Sequence, residues 1–386
     1  MAEPVPTKHV EEAIGWRRDL HRHPELAYQE ERTADFVARQ LTAFGLSVRR
    51  GYGGTGLVAS LTRGTSRRVI GLRADMDALP IAEATGAEHA STRPGVMHAC
   101  GHDGHVAMLV AAARELSSRP GLDGTIHFIF QPAEEVEGGA HAMARDGLFS
   151  DFPLDEIYAI HNWPALPPGH LVARDDAMMA AFATFDIVVT GRGAHGAMPH
   201  QGADPVLAAG QLVAALQGVV ARNVSPLESA VVSVTQIHGG DAYNVIPETV
   251  NLKGTTRWFE PAVGDLLETR MRQTAEGIAA AFGCRADLRY DRLYPATINA
   301  PEPAAHVRDV AARITGLTVE TAPPSMAAED FAFMLQQVPG AYIWLGAGRT
   351  GENPGLHSPR FDFNDAILAD GVAFWRDLAA ARLAAA

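Results

Sequence analysis

The sequence predicts an α/β protein of two domains, with a larger domain built on a mostly parallel sheet and a smaller domain inserted in it. Three observations support this prediction. The chain has 386 residues, which is too long for one simple core. Its first half alternates strand and helix patterns, which is typical of a parallel sheet covered by helices. Residues 182–294 break this alternation.

The first half of the chain is expected to supply the larger sheet. Helical spacing of apolar residues marks helices at 10–26, 31–46 and 105–118, with the first stopped by Pro24 and the second by Gly45. Short apolar runs bounded by turn residues mark strands at 55–61, 67–76, 125–131 and 156–163. A site in such a fold is expected at the carboxyl ends of the strands.

Residues 182–294 predict a second kind of domain. Their patterns follow the order β-α-β-β-α-β, which is the ferredoxin-like signature. Asp204 is the expected N-cap of the first of these helices, and Pro205 occupies its first position. The predicted domains are therefore 1–181 and 295–386 for the two parts of the larger domain, and 182–294 for the insertion.

The charge balance restricts the classes of partner. The net charge is −13, from 45 acidic and 32 basic residues, which disfavours nucleic acid and anionic membranes because both require basic surfaces. No apolar run approaches the length expected of a membrane span, and no secretory signal is expected, because residues 1–15 show no apolar segment of the kind such signals contain. Two cysteines are too few for a disulfide framework, which favours a cytoplasmic location.

The stretch MHACGHDGHV at 97–106 is a candidate metal site. It contains four potential ligands, which are His98, Cys100, His102 and His105. Cys100 and His102 are too close in sequence to share a helix face, but they can share an ion if they lie on a loop. The dipole of the helix that follows favours a thiolate at this position. The alternative is a buried cysteine beside surface histidines.

A pair of adjacent carboxylates follows a predicted strand in QPAEEVEGG. Glu134 and Glu135 cannot both point in one direction, so one of them can bind a metal while its neighbour serves as a general base. The alternative is a solvated helix start, because acidic residues favour the first turn of a helix.

Three more histidines close strands or lie at turns, namely His161, His195 and His357. Each of them could equally be an ordinary hydrogen-bonded polar residue. Asp75 and Asp77 end a predicted strand, where a carboxylate could orient a ligating imidazole.

Together these motifs resemble a known family. The sequence is similar to the amidohydrolase branch of the M20 metallopeptidases, which includes hippurate hydrolases, N-acyl-amino-acid amidohydrolases and plant auxin-conjugate hydrolases. The resemblance covers nearly the whole chain. It depends on seven ordered motifs, which are RADMDALP, MHACGHDGHVAML, QPAEEVEGGAHAM, IHNWP, GAHGAMPH, YNVIPETVNLKGTTR and AAEDFAFML.

The resemblance implies two divalent metal ions per subunit. Carried onto this sequence, the ligands of the family are Cys100, His102, Glu135, His161 and His357, and its general base is Glu134. Other M20 branches place a bridging aspartate where this chain has the cysteine. A thiolate favours Zn²⁺ or Co²⁺, although Mn²⁺ and Ni²⁺ also suit such a site.

The resemblance also implies a reaction and a substrate. The expected reaction is hydrolysis of the amide bond of an N-acyl amino acid, with His195 helping to stabilise the oxyanion. Asn244 and Arg257 are expected to hold the α-carboxylate of the substrate, and Asp77 to orient a histidine ligand. In this family the smaller domain mediates dimerisation, so a homodimer or a higher homo-oligomer is expected through residues 182–294, with His195 reaching the site of the partner chain.

Three alternatives remain at the level of the sequence. A carboxypeptidase, a dipeptidase or an N-carbamoyl amidohydrolase would share the metal chemistry and differ in the acyl pocket. A metal-dependent binding or storage protein would use the same fold, although Glu134 beside the ligands argues against it. A hydrolase with Cys100 as the nucleophile would require that no metal occupies the thiol.

Overall fold

The computed structural model describes residues 4–135, 138–313 and 317–384. The chain folds as two compact units. The larger unit comprises Met1–Met178, Thr297–Pro323 and Asp330–Ala386, and the smaller unit comprises Met179–Ala296 and Pro324–Glu329. The short segment 324–329 therefore groups with the smaller unit, which the sequence patterns did not predict.

The larger unit combines a mixed sheet with helices. Its helices are α1 (Thr7–Arg22), α2 (Glu31–Ala43), α3 (His102–Ser117), α4 (Gly139–Arg145), α5 (Leu148–Asp151), α8 (Pro301–Ala311), α9 (Ala332–Leu335) and α10 (Leu368–Arg382). Its strands are β1 (Ser47–Tyr52), β2 (Gly56–Arg63), β3 (Val69–Asp75), β4 (Gly124–Gln131), β5 (Glu156–Trp163), β6 (His170–Val172), β7 (Ala177–Met179), β14 (Thr297–Ile298), β15 (Thr318–Val319) and β16 (Gly340–Gly346).

Eight of these strands form one sheet in the order β1-β2-β4-β3-β5-β16-β6-β15. Its centre, from β4 through β3 and β5 to β16, is parallel, whereas the pairs β1–β2, β2–β4 and β16–β6 are antiparallel. The expectation of a large and mostly parallel sheet is therefore confirmed. Because the central strands run in the same direction, their carboxyl ends meet at one edge.

The centre of this sheet is buried on both faces. Every residue of β16 is buried, and every residue of β5 except Trp163. The helix α3 is buried almost all round, because it packs on β3 and lies between α1 and α10. Apolar residues on all sides are what such a position requires.

The smaller unit has strands β8 (Ala181–Thr190), β9 (Ala194–His195), β10 (Ala230–His238), β11 (Val245–Ile246), β12 (Thr249–Trp258) and β13 (Arg285–Tyr294), with helices α6 (Pro205–Asn223) and α7 (Pro261–Ala281). Four long strands form an antiparallel sheet in the order β10-β12-β8-β13. In β8, alternate residues from Ala181 to Val189 are buried, as expected for a strand with one face on a core.

The helix α6 departs from one expectation. By length and composition alone it could cross a membrane, although no such run was expected from the sequence. The core helix of a compact domain meets the same criteria, and α6 buries Ala208, Leu212 and Leu216 within the core of the smaller unit. Its predicted start is confirmed, since the Asp204 carboxylate accepts hydrogen bonds from the backbone of Val206 and Leu207.

Candidate metal centre

The amino end of α3 places Cys100 and His102 on either side of a left-handed glycine. Gly101 has φ +91°, and a Cβ built on it would lie 2.4 Å from the Asn162 side chain. A residue with a side chain is therefore excluded by backbone conformation and by space. This turn leaves Cys100 on the loop and His102 as the first residue of the helix.

The five side chains expected to bind metal lie close together at the carboxyl edge of the central strands. The ligand atoms of Cys100, His102 and His161 lie within 4.8 Å of one another, and so do those of Cys100, Glu135 and His357. The Cys100 Sγ lies 3.4 Å from the His161 Nε2, and the His357 Nε2 lies 3.1 Å from a Glu135 carboxylate oxygen. The structure therefore brings the whole predicted set together.

His102 and His161 each form a hydrogen bond through Nδ1, so that the Nε2 atom of each ring faces the cluster. The His102 Nδ1–H donates to Asp77 at 3.2 Å, and the His161 Nδ1–H donates to the Asn162 carbonyl at 2.7 Å. The buried His102 Nε2 has no hydrogen-bond partner in the part of the chain that the structure describes. A buried ring nitrogen without a hydrogen-bond partner, next to a thiol and a carboxylate, fits a bound metal ion.

Asp77 contacts two parts of the site at once. One carboxylate oxygen accepts from His102, and the other accepts from the Glu135 backbone N–H at 2.9 Å. The expected orienting role therefore has a geometric basis, and it extends to the loop that carries Glu134 and Glu135.

Glu134 is buried and lies beside the ligands. Its carboxylate, that of Glu135 and the imidazole of His102 lie within 4.8 Å of one another. Burial and the negative charges of Glu135 and Glu134 raise the pKa of the Cys100 thiol well above its usual value. Burial lowers the pKa of His102, but the carboxylates of Asp75 and Asp77 outweigh it and raise this pKa to about 10.

Comparison with known proteins places this chain in a family. Residues 71–381 match the model of Peptidase family M20/M25/M40. The chain belongs to this family. The resemblance expected from the seven motifs is therefore confirmed, and with it the prediction of a hydrolase.

Three M20 relatives cover almost the whole chain. N-acetylcysteine deacetylase of Bacillus subtilis is 38% identical, over 95% of each chain. Hippurate hydrolase of Campylobacter jejuni is 39% identical, over 94% of each chain. The crystal structure of the YXEP protein of Bacillus subtilis, described as a dinuclear metal binding peptidase from the M20 family, is 34% identical, with a TM-score of 0.86 over 98% of this chain and 99% of that one.

His105 is one of the four potential ligands in MHACGHDGHV, and together with Asn162, which the sequence did not single out, it forms a buried hydrogen-bond network beside the predicted ligands. The buried His105 Nδ1–H donates to Asp75 at 2.6 Å, and its Nε2 accepts from the backbone and side-chain amides of Asn162. Asn162 also donates to the Cys100 carbonyl at 2.7 Å. These contacts connect the loop of Cys100 to the end of β5. The motif MHACGHDGHV contained His105, but nothing in it indicated Asn162 as the partner.

The other predicted site residues of this M20 member lie in the smaller unit. His195 is exposed and pairs with Val245 between β9 and β11, while the Asn244 carbonyl accepts from the Gly196 backbone. His195 and Asn244 are therefore neighbours. Arg257 lies on β12, with its guanidinium carbon 4.1 Å from the centre of the Phe182 ring.

Proposed function

We propose that this chain hydrolyses the amide bond of N-acyl amino acids of the hippurate or N-acetyl type, releasing a carboxylic acid and a free amino acid. The observation that carries the proposal is the position of Glu134, a buried carboxylate beside five converging metal ligands. The names of the two curated relatives, a deacetylase of N-acetylcysteine and a hydrolase of hippurate, support this substrate class.

The residues that would hold two divalent ions are Cys100, His102, Glu135, His161 and His357. Bound divalent ions would supply Lewis acidity, which polarises the acyl carbonyl and acidifies water. The mixture of thiolate, imidazole and carboxylate favours Zn²⁺ or Mn²⁺, with Co²⁺ and Ni²⁺ as further candidates. Asp77 would keep the His102 ring in the tautomer that presents Nε2.

Glu134 would act as the general base. Its carboxylate accepts a proton from the attacking water and passes it to the nitrogen of the leaving amine. An oxyanion develops on the acyl oxygen during the attack, and the imidazole of His195 would donate to it. This role requires a side chain without heavy burial, and His195 is exposed.

Arg257 and Asn244 would bind the α-carboxylate of the substrate. Arg257 is half-buried, and its Nη1 donates to the Thr255 hydroxyl and the Thr256 carbonyl, while its buried Nε has no hydrogen-bond partner in the described part of the chain. A guanidinium presents parallel N–H groups that match the two oxygens of a carboxylate. Burial lowers the pKa of Arg257, although an arginine stays charged at neutral pH.

The smaller unit would be the ferredoxin-like dimerisation domain expected at 182–294. Its order of strands and helices, β8-α6-β10-β12-α7-β13, supports this assignment. Val206, Leu207 and Ile237 are exposed, and β10 lies at an edge of the sheet. An open strand edge beside exposed apolar side chains suits pairing with a second copy. The His195 of each chain would then serve the site of its partner.

The decisive experiment is a substrate panel measured on metal-depleted protein reloaded with Zn²⁺, Mn²⁺, Co²⁺ or Ni²⁺. We expect hydrolysis of N-acetyl and N-benzoyl amino acids, no activity after chelation, and recovery on reloading. Faster hydrolysis of dipeptides or N-carbamoyl amino acids would favour the alternative enzymes. Bound metal without turnover of any substrate would favour a binding protein.

A further inference from the structure

The turn that precedes Glu134, the proposed general base, contains a residue in a strained backbone conformation. Ala133, which directly precedes Glu134, has φ +53°. Only two other non-glycine residues in the described chain have positive φ, and they are Tyr28 and His357. A left-handed conformation is unfavourable for alanine, because its Cβ approaches the following carbonyl oxygen. The surrounding contacts must therefore hold Ala133 in place.

The carboxylate of Glu30 makes this contact. One of its oxygens accepts from the Ala133 backbone N–H at 2.9 Å and from the Tyr28 backbone N–H at 3.0 Å. The other accepts from the Thr55 hydroxyl at 2.6 Å. Glu30 is fully buried. A single carboxylate oxygen therefore binds two of the three left-handed residues, and one of these directs Glu134.

The burial and orientation of the Glu30 carboxylate are not explained by capping of α2. Glu30 directly precedes α2, where an acidic residue commonly accepts from the first backbone N–H groups. Here the nearby Glu25 does so, since its two oxygens accept from Arg32 at 3.2 Å and from Thr33 at 2.9 Å. The Glu30 side chain makes no such bond to α2. Its carboxylate is directed instead at a residue 103 positions away.

The rest of the turn is held independently of Glu30. The Ala133 carbonyl accepts from the Gly139 backbone at 2.9 Å, and the Glu135 backbone donates to Asp77 at 2.9 Å. These two bonds fix the far side of the turn and the residue that follows Glu134. Glu30 holds the near side, where the sign of φ at Ala133 decides the direction of the next side chain.

We propose that Glu30 is a positioning residue for the general base, because it holds Ala133 in the left-handed conformation that points Glu134 at the substrate. The inference deepens the proposed function and rests on it. A carboxylate, a carboxylic acid and an amide each offer an oxygen that can accept the Ala133 N–H. Glu30→Gln therefore preserves the contact, whereas Glu30→Ala removes it and Glu30→Asp leaves the carboxylate one methylene short of Ala133.

Burial raises the pKa of Glu30 to about 7, with a further contribution from the negative charge of Asp77 and an opposing one from the Thr55 hydrogen bond. Both protonation forms are therefore populated near neutral pH. Because both forms can accept from Ala133, the turn is held across this range, and Glu30→Gln mimics the protonated form.

The test compares kcat, KM, metal content and thermal stability in Glu30→Ala, Glu30→Asp and Glu30→Gln. We expect Glu30→Ala and Glu30→Asp to lower kcat about 10–100-fold with nearly unchanged KM and full metal content, because a displaced catalytic group loses rate rather than binding. Glu30→Gln should keep most of the activity. Glu30→Asp retains a buried carboxylate, so the test stands even if Glu30→Ala does not fold.

A second substitution probes the turn itself. Ala133→Gly removes the penalty for positive φ, so the Gly139 and Asp77 contacts alone can hold the turn. Added to Glu30→Ala, it should restore kcat about fivefold or more. A crystal structure of Glu30→Ala should show a negative φ at Ala133, and the double variant a positive one. Glu25→Ala is the matched control, and it should lower thermal stability without lowering kcat.

Two results would overturn the inference. One is an unchanged kcat in Glu30→Ala and Glu30→Asp. The other is a loss of kcat that Ala133→Gly does not reverse, since this would indicate a general structural role. Absence of activity in the unmodified protein, assayed in parallel with full metal content, would instead contradict the proposed function.

Discussion

At the scale of the residue, the chemistry of the site depends on what each imidazole binds through Nδ1. His102 donates to a carboxylate and His161 to a backbone carbonyl, so both rings present Nε2 to the cluster. Asp77 differs from the other supporting groups because it also binds the Glu135 backbone. Removal of Asp77 therefore loosens two predicted ligands together.

We expect Asp77→Ala to weaken metal binding about 10–100-fold, because supporting carboxylates of metal-bound histidines typically contribute this much. The measurement is a competition titration against a chromophoric chelator. Asp123→Ala is a suitable control, since the Asp123 carboxylate also accepts two hydrogen bonds, in its case from the backbone N–H groups of Thr65 and Ser66, but lies in an exposed loop. Equal metal affinity in both variants would mean that Asp77 does not support the ligands.

Substitution of Glu134 and of Glu135 should have different effects on metal content and kcat. Glu134→Gln should retain the metal and lose about 10²–10⁴-fold in kcat, which is the usual cost of a lost general base. Glu135→Gln should lose metal, because its carboxylate contacts His357 and lies near Cys100. Metal stoichiometry and turnover measured on each variant decide the assignment. Loss of metal in Glu134→Gln with retention in Glu135→Gln would exchange the two roles.

At the scale of the element, buried charges join α1 to α3. The His21 Nδ1 of α1 lies 2.8 Å from the Asp103 carboxylate in the first turn of α3, and the Arg17 Nε lies 3.5 Å from the same carboxylate. Burial lowers the pKa of His21, but Asp103 outweighs this effect and raises the pKa to about 9. The two helices are therefore held together by a charged histidine over the physiological range.

This shift predicts a pH-dependent stability. A histidine whose pKa is raised by folding stabilises fully below its unfolded value near 6.5, and the contribution is lost as the pH rises through about 9. The full shift corresponds to on the order of 3 kcal/mol. In urea unfolding, the stability difference between the unmodified protein and His21→Gln should therefore shrink between about pH 6 and about pH 10.

His23→Gln is the matched control for this measurement. His23 follows the end of the same helix, but it is only half-buried and its ring bonds to Asp19. Its substitution should leave the pH dependence unchanged. A constant difference between the unmodified protein and His21→Gln across the pH range would show that the Asp103 contact does not depend on a charged imidazole.

The elements also show what a sequence can and cannot predict. Strand and helix patterns located most of the elements through β13, because alternation and helical spacing are local properties. No strand was predicted after residue 294, so β16 was missed, although its continuous apolar run is of the same kind as the runs that located β4 and β5. The motifs that carry the predicted ligands could be recognised as well, because each motif is a short contiguous stretch of the sequence. The contact between Glu30 and Ala133 could not be recognised, because no short motif connects residues so far apart in the chain.

At the scale of the whole molecule, the proposed dimer predicts complementation between inactive chains. Glu134→Gln and His195→Ala should each have little activity. In a mixed dimer, one site carries both defects and the other carries neither if His195 acts on the partner chain. We therefore expect activity to reappear when the two variants exchange subunits. The measurement is turnover after mixing, with exchange followed by a mass-tagged subunit.

The control for complementation is each variant mixed with itself under the same conditions. Proven exchange without recovery would mean that His195 serves its own chain or takes no part in the reaction. A monomer at all concentrations tested would contradict the dimer directly, and exposed residues such as Leu207 would then need another explanation.

The pairing of β5 with β16 cannot form until long after β5 has been synthesised. Ile157 of β5 pairs with Gly340 of β16, and β5 also carries His161. This strand therefore remains without its partner until β16 has been synthesised. A ribosome adds about 5–20 residues per second, so the intervening chain takes about 10–40 s to appear. During this interval the nascent chain exposes an apolar strand edge, which is a template for aggregation. Prematurely terminated chains that lack β16 should therefore depend on chaperones or be degraded.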